Sequence, residues 1–255
     1  MPTLYTSDYH LFFIPKELRT AFLEKVDAIA RYLQINPDWL MSVFWHESGM
    51  DPQALGPMVD SNGKVIAFAV GLNQFIPSTA KSFGATSEML YDMNALKQLD
   101  YVMLYFEPYR GKINTFTELM TINFLPAALP LMNNPNNVIE VKGLSASIIA
   151  KNNPAFDKNK DGKITVEEYT GHLRQFFGKV VDSPNPNKGI NAPKPPYTKY
   201  IPSGKTWNLF DERKKYLARR GTRKGVPPTV SNYDVQLPLA MYPQMDDGDE
   251  KKNFA

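Results

Sequence analysis

Glu47 ends the apolar run Trp39-Leu-Met-Ser-Val-Phe-Trp-His-Glu47, and Gly49 follows two residues later. If the run is helical, Glu47 lies in the last turn, at the negative end of the helix dipole and beside Trp45. Dipole and desolvation both disfavour an ionised carboxylate there. An acid kept protonated near neutral pH is what a general acid requires. For a lone Glu, an exposed helix end is the plainer reading. Asp51 and Asp60 are the nearby carboxylates that would complete a two-acid hydrolytic pair, although a turn and a hairpin account for them more simply. Downstream, Gly71-Leu-Asn-Gln74 joins a glycine that permits close backbone approach to a carboxamide that both donates and accepts hydrogen bonds. A second chemistry is written in Asp157-Lys-Asn-Lys-Asp-Gly-Lys-Ile-Thr-Val-Glu-Glu168. Asp157, Asn159, Asp161, the Lys163 carbonyl, Thr165 and Glu168 are oxygen donors at the spacing that suits a calcium ion, and Gly162 supplies the sharp turn between them.

Positioning these groups falls mainly to helices. Phe22, Val26, Ile29 and Leu33 form one apolar stripe over residues 16–34, with Glu17, Arg19, Lys25 and Arg31 mostly elsewhere. Asn36 suits an N-cap, Pro37 the first helical position and Asp38 the positive helix end. Leu40, Val43 and Phe44 then seat the Glu47 helix in a core, and Gly49 and Pro52 stop it. Asn62-Gly63 marks a hairpin over about 58–68. Further helices are predicted from Pro77 to about Phe83, over 86–107 and from the Thr115/Glu118 capping box towards Leu125. A short helix near 144–150 and one from the calcium loop to about Phe177 complete the set. Tyr5, Tyr9, Phe12 and Phe13 belong to an N-terminal arm, and Trp39 and Trp45 are candidate core or sugar-platform residues.

The chain has 255 residues, no Cys and a formal net charge of +3, which rules out disulfides, thiolate metal sites and a Cys nucleophile. Residues 1–18 lack the pattern of a signal peptide, and no apolar stretch approaches a membrane span. His10, His46 and His172 lack metal-ligand spacing. The late concentration of Pro and Asn from Asp182 to Lys205 reads as a linker or extended arm. It leads to a basic helix over 207–220 and a Pro-rich remainder ending in the charged tail 246–252. Arg213, Lys214, Lys215, Arg219, Arg220, Arg223 and Lys224 form a basic cluster, read first as a solvated or partner-facing surface rather than a nucleic-acid site.

Glu47-Ser-Gly-Met-Asp-Pro-Gln-Ala54 followed by Gly71-Leu-Asn-Gln-Phe-Ile-Pro-Ser-Thr-Ala80 resembles the lytic transglycosylases related to goose-type lysozyme, over roughly residues 16–130. The resemblance implies a mainly α, lysozyme-like helical domain at 1–150 with a small β-hairpin insertion. After it come an EF-hand-like calcium segment at 151–181 and a Pro-rich linker and arm at 182–255. It also implies that Glu47 is the catalytic acid in cleavage of the β-1,4 bond between N-acetylmuramic acid and N-acetylglucosamine, with a 1,6-anhydro product. Ser48, Asn73, Gln74 and Asn123 would bind substrate or position the acid. Asp157, Asn159, Asp161, Lys163 and Glu168 would hold a structural Ca2+, and catalysis itself would need no cofactor.

Two departures from the family pattern matter. Asn73 stands where the family usually has Met. In Thr121-Ile-Asn-Phe-Leu-Pro126, Ile122 replaces a Tyr whose hydroxyl usually contacts the catalytic region. The Pro-containing segment is similar to that of some phage-type relatives. The expected setting is therefore a phage virion, with peptidoglycan glycan strands as substrate, other virion proteins on the C-terminal arm, no membrane span and no nucleic acid. The bacterial periplasm or envelope is the other setting. A structural virion protein with a degenerate lysozyme-like fold, a hydrolytic muramidase and a calcium-regulated binding module remain open as alternatives.

Overall fold

Caps and stop signals set most of the element boundaries. The computed structural model describes residues 11–60 and 62–221, with the backbone alone for 219–221. Tyr5, Tyr9, His10, Arg223, Lys224, the side chains of Arg219 and Arg220, and the Pro-rich remainder with its charged tail lie outside the described residues. Helix α1 (Lys16–Leu33) buries the predicted stripe completely. Each such side chain contributes roughly 1.5–3 kcal/mol on burial. A left-handed Gln34 closes it, and Asn36 caps α2 (Pro37–Ser48) by accepting from the Asp38 N–H at 2.9 Å. Gly49, at φ 62°, ends α2. Helices α1 and α2 pack on each other, with the Phe22 and Phe44 rings 6.4 Å apart.

The strands β1 (Leu55–Val59) and β2 (Val65–Val70) form an antiparallel hairpin in the register Leu55↔Val70 to Met58↔Ala67, with a bulge at Met58/Val59. It is longer than the 58–68 expected, because Leu55 and Val70 extend the pairing into the core. Asp60 is the turn residue, its Oδ1 accepting from the Asn62 and Lys64 amides. Helix α3 (Pro77–Ser82) follows. The single helix expected over 86–107 is instead two, α4 (Ser87–Asp92) and α5 (Ala95–Phe106). Met93 is extended, and the Asn94 side chain caps α5 by accepting from the Lys97 amide, so a new helix starts rather than the old one continuing. The Thr115/Glu118 capping box opens α6 (Phe116–Phe124), and a 3-10 stretch from Pro126 to Asn133 follows.

Helix α7 (Ala146–Asn152), the loop 157–168 and α8 (Val166–Phe177) form the second half of the helical body. Ile164 is fully buried, and its carbonyl accepts from Ile139 while Val166 donates to Asn137, so the loop leans on residues 137–139. From Asp182 to Asn208 the chain runs without helix or strand over the first helices as a strap. Ser183 accepts from the Trp39 indole at 2.8 Å, Asn187 donates to the Ile35 carbonyl, and Asp92 accepts from Tyr200, Ser203 and Trp207. The Tyr200 and Ser203 bonds, working against desolvation, hold Asp92 far below the usual carboxylate range. Helix α9 (Leu209–Gly221) then packs on the hairpin through Phe210 on Phe68 and through Arg213 on the Leu55 carbonyl. Lys214 and Lys215 pair with Asp211 and Glu212 along the same helix.

Candidate active site

The last turn of α2 delivers Glu47 into a cavity of about 310 Å³. Its side chain is 12 % exposed, and Oε1 lies 3.4 Å from His46 Nδ1. Glu47 is the one carboxylate among the residues lining this cavity. Asp51 and Asp60 are elsewhere, one accepting from the Gln53 amide in the turn after α2 and the other holding the hairpin turn. Neither supplies a second acid.

The loop after β2 lines the same cavity as Glu47. Val70 and Phe75 exchange both backbone hydrogen bonds at 3.0 Å, pinching Gly71–Gln74 into a four-residue loop. Gly71 has φ 82°, and a Cβ there would lie 2.4 Å from the Gln98 oxygen. That oxygen accepts from the Leu72 amide, while the Gln98 amide nitrogen donates to Pro52 and Leu90. Buried Gln98 is thus the brace of the loop. Gln74 adopts a left-handed φ of 48° and donates to the Gly71 and Ala54 carbonyls, and its oxygen occupies the space a side chain on Gly56 would take. Asn73 and Gln74 both line the cavity, and Asn73 Nδ2 donates to Asn123 Oδ1 of α6 at 2.7 Å.

Ser48 is not brought to the cavity. It is fully buried and its hydroxyl donates back to the Phe44 carbonyl, a bond that steadies the α2 terminus. Ile122 is also fully buried, so the position where the resemblance expects a Tyr belongs to the core. The tyrosines of the cavity come from other helices. Tyr105 of α5 lines it and donates to the Ile122 carbonyl at 2.8 Å. Tyr169 of α8 is buried, and its hydroxyl is pushed well above the ordinary tyrosine range, first by desolvation and then by the negative charge of Glu47, against a lowering bond with Thr121.

Tyr169 belongs to a wall that the motifs did not reveal. Residues 152–156 and the α8 face Tyr169, His172, Leu173, Phe176 and Phe177 close the far side of the cavity. Phe156 meets Tyr169 at 5.2 Å and His172 at 4.6 Å, and Phe124 stacks on Tyr169 at 5.6 Å. The signal was present as a helical repeat at 169, 172, 173, 176 and 177, but periodicity alone does not say that such a face borders a cleft. Burial holds the His172 imidazole below its ordinary value, His46 adds to this and a bond with Ala155 opposes it. Trp39 is a core residue bonded to the strap, and Trp45 packs against the core, so neither borders the cavity.

The loop 157–168 joins the two parts of that far wall. Asp157 accepts from the Asp161 and Gly162 amides, and Asn159 accepts from Asp161. Glu168 is the capping-box acid of α8, accepting from Thr165 and Asn159. Desolvation raises the Glu168 carboxyl, but the combined bonds from Thr165, Asn159 and Lys158 outweigh it and leave the group below its usual range. Asn159 donates its amide to Asp161 Oδ2. Among the described residues no three His, Asp or Glu side chains already converge as metal ligands. The donor set is all oxygen, which fits a hard cation in chemical type.

A family model described as "Transglycosylase SLT domain" matches residues 25–99. The match runs from within α1 into α5 and takes in Glu47 and the Gly71–Gln74 loop. It supports a lytic transglycosylase type of peptidoglycan degradation. Neither a curated protein nor a solved structure matches the chain.

Proposed function

We propose that this protein is a peptidoglycan lytic transglycosylase in which Glu47 acts alone as acid and then base. The observation that carries the reading is a single, largely buried carboxylate that shares one cavity with Asn73 and Gln74. Glu47 gives its proton to the glycosidic oxygen as the C1–O bond breaks. The muramyl 6-hydroxyl then bonds to C1 and returns a proton to Glu47, leaving a 1,6-anhydro end and a restored acid. The substrate's own acetamido group takes the charge-stabilising role for which most glycosidases use a second carboxylate. Gln74 has its amide nitrogen committed to the Gly71 and Ala54 carbonyls and its oxygen set over Gly56, so it holds the shape of the loop that bears Asn73. Tyr169 is a positioning residue, because its buried ring packs with Phe124 and Phe156 to form a dry wall beside the acid.

The loop 157–168 would hold Ca2+ through Asp157, Asn159, Asp161, the Lys163 carbonyl and Glu168. The ion would tie the first loop position to the last and would take no part in bond cleavage. The setting we favour is a phage particle, supported by the similarity of Thr121–Pro126 to phage-type relatives. Other virion proteins would contact the chain through its C-terminal part, and the protein would act on the host cell wall. Mass spectrometry of peptidoglycan digests tests the chemistry. Anhydro ends made by wild type and absent with Glu47→Gln are expected. Reducing ends would make it a muramidase, and unchanged digestion by the variant would remove Glu47 from the chemistry.

A further inference from the structure

Asn73 is 3 % exposed, and its Oδ1 has no hydrogen-bond partner among the described residues. Its own Nδ2 is committed to Asn123 Oδ1, so the pair is locked with one buried acceptor unmet. A buried polar atom without a partner is destabilising, and native folds keep few of them. This one belongs to a residue that lines the same cavity as Glu47. The terminal torsion of an Asn side chain is soft, so a small rotation turns the acceptor towards an occupant.

The chemistry of the missing partner can be narrowed. The atom is shielded from solvent and unmet by any side chain of the described residues, although donors such as Thr79 and Tyr105 belong to the same lining. A hydroxyl would satisfy the acceptor but bring lone pairs of its own into the same shielded place. An amide N–H is a donor and nothing else. If both carboxamides are turned over, the unmet atom becomes a donor that an amide carbonyl satisfies. In either orientation an amide group meets the unmet atom.

We propose that Asn73, oriented by Asn123, is the residue that reads the 2-acetamido group of the glycan, with Asn73 Oδ1 accepting from the acetamido N–H. The assignment rests on the glycan-cleaving reading of the cleft and names the sugar substituent it selects. Asn123 is then a positioning residue that fixes the Asn73 rotamer and lends only part of the preference.

Calorimetric binding of chitotetraose and cellotetraose, which differ in the 2-substituent, tests this in the Glu47→Gln background, where turnover is blocked. Chitotetraose should bind more tightly. Adding Asn73→Leu should weaken chitotetraose about tenfold and leave cellotetraose unchanged, and Asn123→Leu should cause a smaller loss of the same kind. Thermal unfolding checks that each variant folds, and Asn73→Ser replaces the leucine variant if it does not. An unchanged ratio between the two ligands overturns the assignment, as does an equal loss for both, which would make Asn73 a wall residue only. If Glu47→Gln binds neither ligand while folded, the glycan reading itself falls and this inference with it.

Discussion

The two walls of the cavity are built on different principles. The near wall, α2 with the Gly71–Gln74 loop, is polar and held by backbone: a left-handed Gly71, a left-handed Gln74, and Gln98 bonded to three main-chain groups. The far wall, residues 152–156 with the α8 face, is aromatic and held by ring contacts such as Phe156 on His172. A wall fixed by main-chain bonds holds its polar groups at set positions. A wall of packed rings excludes water and tolerates exchange of one ring for another. The family match ends at residue 99 and contains most of the near wall and none of the far one. The near wall is thus the part of the cavity that the family model reaches, and the far wall lies outside the matched residues.

Substitutions on each side should separate these roles. Glu47→Gln should have the largest effect, lowering glycan cleavage by about 10²–10⁴ with little change in melting temperature. Release of soluble muropeptides and a thermal scan together check it. Gly71→Ala combines a strained positive φ with overlap on Gln98, and should cost about 1–3 kcal/mol of stability and most of the activity. Denaturant unfolding measures the first and muropeptide release the second. A melting point equal to wild type would mean that the loop is not set by its backbone. On the far side, Tyr169→Phe should lower cleavage only about tenfold, in keeping with one lost polar contact. A loss as large as that of Glu47→Gln would erase the distinction between the walls and make Tyr169 a catalytic residue.

Two gentler perturbations address the far wall alone. Chelating calcium should speed hydrogen exchange in 152–156 and 169–177, which flank the loop, and leave Gly71–Gln74 protected. Uniform loosening of both walls would contradict their independence. Acid should act through His172, whose folded form resists protonation because it is buried beside His46. Between its folded value and about 6.5, the unfolded chain binds more protons than the folded one. That part of the stability is therefore complete above about pH 6.5 and is lost as the pH falls. Melting curves at pH 7.5 and 5.5 should show the loss, and His172→Phe should reduce it.

The near wall was legible because its rules are local. An N-cap, a helix-stopping glycine and a tight loop each announce themselves within a few residues, and Asn36, Gly49 and Gly71 all behave as their types require. Ser48 does not line the cavity and can only position the acid through the end of α2, which was not legible because sequence does not show whether a hydroxyl turns outward or back to the fourth preceding carbonyl. The helix break at Met93–Asn94 escaped because both neighbours are apolar-periodic, and a capping Asn inside such a run looks like an ordinary polar position. Tyr169 escaped for a different reason. Its closeness to Glu47 is made by two helices 122 positions apart, and no local pattern encodes that meeting. The loop 157–168 was legible as an oxygen-donor pattern, while its place between the two parts of the far wall was not.

The strap carries a consequence for the order of assembly. Asn36 is bonded to Ser183 and Pro184, 147 and 148 positions on, and Leu55 to Arg213, 158 positions on. Contacts of such separation close late, because the entropy of bringing distant segments together precedes any return from their bonds. Trp39, in the helix that carries Glu47, meets its indole partner only when Ser183 arrives. During synthesis, then, the acid-bearing helix is not fully seated until the strap has emerged. A chain cut short before residue 183 would keep its motifs intact and leave that helix without its last restraint.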